Sequence, residues 1–207
     1  MSVAQRERAA LVATMRAVGP DAPTLCAGWT VRDLAAHLVV RERRPDAAPG
    51  ILVAPLAGYT ARVQRRIADT TPWAELLERV AAGPPPLSPF RLLDPLVNVT
   101  EMFIHHEDVR RAAPDWQPRA LDPATTAALR RPLPLTARMA LGRAPARVTL
   151  RTPDGAVAAV VGHGPALTLT GEPGELLLFL GGRDAARVAF DGDDALFAAV
   201  RAGRRGL

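Results

Sequence analysis

The spacing of apolar residues changes partway along the chain, and that change organises the rest of the reading. From Val3 to Val18, Leu11, Met15 and Val18 fall on one helical stripe with Arg6, Arg8 and Arg16 mostly off it, and Gly19-Pro20 stops the pattern. Thr30-Val31-Arg32-Asp33 has the form of a helix N-cap with an acidic residue three positions on, predicting a second helix from Val31 to about Arg44 that Pro45 ends. Leu34, Ala35 and Leu38 line its apolar face, and His37 sits beside them. Residues 45–55 read as loop, Leu56 to Ala68 as a third helix, and Thr71-Pro72 as the start of a fourth. Gly83-Pro84-Pro85-Pro86 breaks any regular element.

The strongest helical segment runs from Asp94 to Ala112, where Val97, Glu101, Ile104, His105 and Asp108 share one face at three- and four-residue steps. Ala124 to Leu141 is partly helical, interrupted by Pro132 and Pro134. After Gly142 the period shortens. Ala146–Arg151 and Ala156–Val161 flank the turn Pro153-Asp154-Gly155 and predict a hairpin, with Ala166–Thr170 a third strand. Glu172–Leu180 reads as a buried helix, Arg187–Phe190 as a strand and Ala195–Ala202 as a closing helix. The fold class is therefore α+β. A helical domain spans 1–142 and a small α+β domain 143–207.

Composition narrows the function. The chain has 207 residues, a formal charge of +5 and a single cysteine, Cys26, which excludes an intrachain disulfide. The longest apolar run is too short to span a bilayer, and the first ten residues lack the apolar stretch of a secretion signal, so a cytoplasmic location without membrane attachment is expected. All basic residues are Arg, scattered among Asp and Glu, and aromatic residues are only 4%, which argues against a nucleic-acid partner.

Four histidines exist, and the informative stretch is Glu101-Met-Phe-Ile-His105-His106-Glu107-Asp108. Glu101 and His105, four apart on a helix, project from one face, so a carboxylate oxygen and an imidazole nitrogen can reach one divalent ion at about 2.0–2.2 Å. His37, from the second helix, is positioned to add a third donor and leave coordination positions open. Plainer readings stand beside this one. An E-x-x-x-H pair is commonly a surface pair, and a histidine among apolar residues is commonly a hydrogen-bonded core residue. Asp108 either orients the His105 ring through its other nitrogen or pairs with Arg110 or Arg111. His106 and Glu107 point away from the Glu101–His105 face and read as solvated, or as outer support of the site. Cys26 reads as an inert, buried thiol, and His163, between two glycines, as a turn residue.

Leu25-Cys-Ala-Gly-Trp-Thr-Val-Arg-Asp-Leu-Ala-Ala-His37-Leu and Glu101-Met-Phe-Ile-His105-His-Glu-Asp-Val-Arg-Arg resemble the mycothiol-dependent maleylpyruvate isomerase family, in its short metal-binding branch. Gly171-Glu-Pro-Gly-Glu-Leu-Leu-Leu-Phe-Leu-Gly-Gly-Arg183 extends the resemblance to the second domain. The resemblance implies a DinB-like four-helix bundle followed by a small sterol-carrier-like α+β module. It implies His37, Glu101 and His105 as metal ligands, zinc as the first candidate metal, and mycothiol as a possible cosubstrate whose thiol is activated at the open position. The implied partners are a small-molecule thiol and an electrophilic substrate, and the implied activity a thiol-dependent transferase or isomerase. The alternative is a non-catalytic metal- or small-ligand-binding protein, since a shared scaffold does not carry a shared activity.

Overall fold

A computed structural model describes residues 1–85 and 94–203, with the side chains of 94–97 outside the description. Pro86 of the predicted helix break and the side chain of Val97 therefore lie outside the described residues. The chain forms two compact units, residues 1–116 and 117–207.

In the first unit, α1 (Val3–Val18) opens with a capping box between Ser2 and Gln5, and Gly19 ends it at a φ of 86°, a conformation that favours glycine. The anticipated box also opens α2 (Val31–Arg43), where Thr30 Oγ1 accepts from the Asp33 N–H while Asp33 Oδ2 accepts from the Thr30 N–H. Residues 45–56 hold two short 3-10 turns, Ala48–Ile51 and Ala54–Leu56, each with a proline at its start. The remaining helices are α3 (Ala57–Thr70), α4 (Trp73–Ala82) and α5 (Asp94–Arg110). α1 packs along α5 and α4, and α2 along α3 and α4. Leu11, Met15, Leu34, Leu38, Leu76 and Met102 are fully buried in the core between them.

α5 is buried on more than one side. From Met102 to Val109 every side chain is buried, polar ones included, because α1 covers one flank while the His37 side of α2 meets another. A helix enclosed this way must pair its polar groups within the bundle.

The second unit begins with α6 (Pro123–Arg130), capped by Asp122, and α7 (Leu133–Leu141). Pro132 separates the two helices, while Pro134 sits in the first turn of α7, where no hydrogen bond is lost. The sheet has the order β2-β1-β3-β4, formed by β1 (Arg147–Arg151), β2 (Val157–Val161), β3 (Ala166–Thr170) and β4 (Ala189–Asp191). β1 and β2 form the predicted antiparallel hairpin, with a register shift between Leu150 and Arg151. β1 and β3 run parallel, and β3 and β4 antiparallel. α8 (Pro173–Leu180) is buried along its whole length, and α9 (Asp194–Gly203) follows β4. The change from helix to strand after Gly142 falls inside this unit. α6 and α7 precede it, yet they pack on α8, and α7 also packs on β2, so contact groups them with the sheet that follows.

Candidate metal centre

α2 and α5 deliver the site residues at helical spacing. His37 and Arg41 are four apart on α2, and Asn98, Glu101, His105 and Asp108 follow at steps of three and four on α5. His37 and His105 are buried to 8% and 7% exposure, and Asp108 is fully buried. Glu101 is the most open member, its side chain a quarter exposed.

Glu101 Oε1 is the focus. It lies 3.1 Å from His105 Nε2 and 3.7 Å from His37 Nε2. The two imidazoles meet edge to face with ring centroids 5.4 Å apart at 73°. One donor atom from each of His37, Glu101 and His105 lies within 4.8 Å of the other two. Donors about 2.0–2.2 Å from a common ion must stand a few ångströms from one another, so the spacing fits a small divalent cation. Two imidazoles and a carboxylate suit zinc and neighbouring transition metals better than calcium or magnesium, which prefer all-oxygen shells.

The far side of His105 is held as well. Its Nδ1 is 2.9 Å from Asp108 Oδ2, which directs the Nε2 lone pair of the neutral ring toward Glu101 and His37. The Asp108–His105 bond is the first of the two roles read for Asp108, and Arg110 and Arg111 bond Glu107 at 3.0 and 2.6 Å. Trp29 packs on His37 with ring centroids 5.0 Å apart.

Charge is distributed to match. Burial works to raise the Glu101 pKa, but bonds with His105 and His37 and the charge of Arg41 outweigh it and hold the carboxyl well below its ordinary range. Burial works to lower His105, but Asp108, Cys26 and Glu101 outweigh it and push the imidazole well above 6.5. For His37 burial dominates, and its pKa falls despite the bond to Glu101. Without an ion, these shifts favour an imidazolium at His105 against a carboxylate at Glu101, with His37 neutral.

Three readings from sequence change. His106 and Glu107 are not solvated, being 3% and 0% exposed, because the face of α5 opposite His37 is covered rather than open to water. His106 bonds Glu7 Oε2 through Nδ1 at 3.2 Å and Thr14 Oγ1 through Nε2 at 2.9 Å. Both partners lie on α1, apart from the candidate donors. Cys26 is half-buried rather than buried, and its thiol donates to Asp108 Oδ2 at 3.2 Å. Cys26, Asp108 and His105 make a second group of potential donors within 4.8 Å, sharing the His105 ring. Their proximity follows from a backbone tether, Leu25 N–H to Asp108 C=O at 3.0 Å.

Arg41 joins the site, though no sequence motif singles it out. It is 7% exposed, its Nε lies 3.2 Å from Glu101 Oε1, and Nη1 donates to Asn98 Oδ1 at 2.9 Å. The signal that marks it is its four-residue spacing from His37.

Comparison with known proteins agrees with this architecture. The profile of the mycothiol maleylpyruvate isomerase N-terminal domain family matches residues 3–49, the segment that carries α1, the Cys26 loop and His37. No curated protein matches the chain. Among solved structures, the crystal structure of the mycothiol-dependent maleylpyruvate isomerase is similar at 12% identity and a TM-score of 0.50, covering 91% of this chain and 90% of that one. At that identity the likeness bears on the fold.

Proposed function

We propose, for a chain whose residues 3–49 match the mycothiol maleylpyruvate isomerase N-terminal domain family, that His37, Glu101 and His105 hold a divalent metal, zinc first, and that the protein is a thiol-dependent transferase or isomerase. The observation that carries this reading is the approach of both imidazole Nε2 atoms to one Glu101 oxygen, from helices far apart in sequence.

The ion would lower the pKa of a small thiol at an open coordination position and so supply a thiolate nucleophile near neutral pH. The chain's own groups prepare for it. Asp108 accepts the Nδ1 proton of His105 and thereby fixes which nitrogen faces the centre. Glu101 stays ionised because its partners favour the carboxylate, so no proton need leave it. Trp29 packs against the His37 ring, with centroids 5.0 Å apart. Mycothiol is the thiol that the isomerase's name suggests, and an electrophile able to accept a thiolate is the matching second substrate.

The test is in two parts. Protein purified without added metal is analysed for bound ions, and about one zinc or similar ion per chain is expected. Mycothiol is then titrated into the metal-loaded protein, with and without an electrophile, and saturable binding with conjugate or isomerised product is expected. Metal without thiol binding would favour the non-catalytic metal-binding alternative. Absence of metal binding would defeat the reading.

A further inference from the structure

The metal centre contains a buried cation that ligand geometry does not require. Arg41 Nε approaches Glu101 Oε1 at 3.2 Å, the same oxygen that faces His37 and His105. The guanidinium is anchored from behind, since Nη1 donates to Asn98 Oδ1 at 2.9 Å and Asn98 is 1% exposed.

A guanidinium in that place has two opposed effects on an ion. It steadies the Glu101 carboxylate, which would aid binding. It also sets a positive charge beside the position of a divalent cation and draws electron density from the donor oxygen, which opposes binding. The first effect is largely redundant, because His105 and His37 face the same oxygen without the ion, and with it the ion's own charge would keep the carboxylate ionised. The second is not, because repulsion between charges in a buried, poorly screened site falls only with the first power of distance. Repulsion therefore decides the sign.

Resting on the reading that the ion sits at His37, Glu101 and His105, we propose that Arg41 limits how tightly this centre holds its metal by competing with the ion for the Glu101 carboxylate. The consequence is an exchangeable centre rather than a locked one. Without the ion, Arg41 shares the carboxylate with the histidines, and with it, Arg41 opposes retention.

Zinc affinity of the full chain, measured by competition with a coloured chelator, tests this, together with the rate of zinc release into excess chelator. Arg41→Gln should bind zinc at least tenfold more tightly than wild type, a change of about 1.4 kcal/mol, and release it more slowly. Arg41→Lys, which keeps the charge, should stay within about threefold of wild type on this argument. Arg41→Met keeps the apolar stem and replaces the Gln variant if circular dichroism shows that variant misfolded. Unchanged or weaker zinc binding by the folded neutral variant overturns the proposal and leaves Arg41 a positioning or packing residue, with the metal reading intact. A wild-type chain that binds no zinc overturns both.

Discussion

His37 and His105 stand edge to face, 5.4 Å between ring centroids, although one belongs to the second helix of the bundle and the other to the fifth. Neither ring reaches that position on its own. His37 packs on Trp29 and faces Glu101, and His105 bonds Asp108. The contact is therefore a product of tertiary packing, and the consequences of the site can be tested by separating its parts.

The two adjacent histidines of α5 should behave differently. His105→Ala removes a central donor and should abolish most metal binding while the helical circular dichroism signal stays near wild type. His106→Ala should leave metal content unchanged. It should instead lower stability by about 1–3 kcal/mol, because Glu7 and Thr14 lose a buried partner. Metal analysis and thermal melts of the two variants decide it, and metal loss in the His106 variant alone would mean that the wrong histidine carries the site.

This difference marks where sequence stops being informative. The helical spacing from Asp94 onward and the Thr30-Asp33 cap are local signals, so α5, α2 and the shared face of Glu101, His105 and Asp108 were legible from them. Burial of His106 and Glu107 was not, because a helical wheel shows which residues share a face and not how many faces are covered. Cys26 reaches Asp108 only through the fold of its loop, and no spacing announces that. Arg41 did carry a signal, its step of four from His37, but arginine is common enough here that the step did not stand out. In the second unit the hairpin was readable from its turn, whereas the parallel pairing of β1 with β3 is set by non-local contacts.

Asp108→Asn probes the support behind His105. An amide presents both a donor and an acceptor, so it no longer guarantees that Nδ1 keeps its proton and that Nε2 faces the centre. Metal affinity should fall about 10- to 100-fold, the usual cost of removing such a partner. Isothermal titration of the metal-free variant measures this, and wild-type affinity would show that Asp108 serves only to hold the Cys26 loop.

Stability and metal binding should depend on pH with opposite signs. His105 has a folded pKa well above its ordinary 6.5, so the metal-free protein gains stability that is fully present below the unfolded value and is lost as pH rises through the folded value. Metal binding requires that same proton to leave. Affinity should therefore climb with pH through and beyond neutrality, levelling only above the raised pKa of His105. Glu101, held well below its ordinary range, and His37, lowered by burial, contribute little proton release at neutral pH. Melting the metal-free and metal-loaded protein between pH ~6 and ~8.5 should show the difference in Tm widening upward. A constant difference would contradict the charge state assigned to His105.

Thr30→Ala tests whether the cap of α2 matters to the centre as well as to the helix. The substitution removes the oxygen that accepts from the Asp33 N–H and the hydroxyl that donates to Asp33 Oδ2 at 2.8 Å, which should cost about 1 kcal/mol. His37 lies two turns into the same helix, so loosening its start should also weaken metal binding, though by less than the loss of a ligand. Ser2→Ala removes the equivalent cap of α1, which carries no donor, and should reduce stability alone. Thr30→Ser should restore both properties, because it returns the capping oxygen without the methyl group. Equal effects of the Thr30 and Ser2 substitutions on metal affinity would show that the centre feels only the stability of the bundle, and that the start of α2 has no separate part in aiming His37.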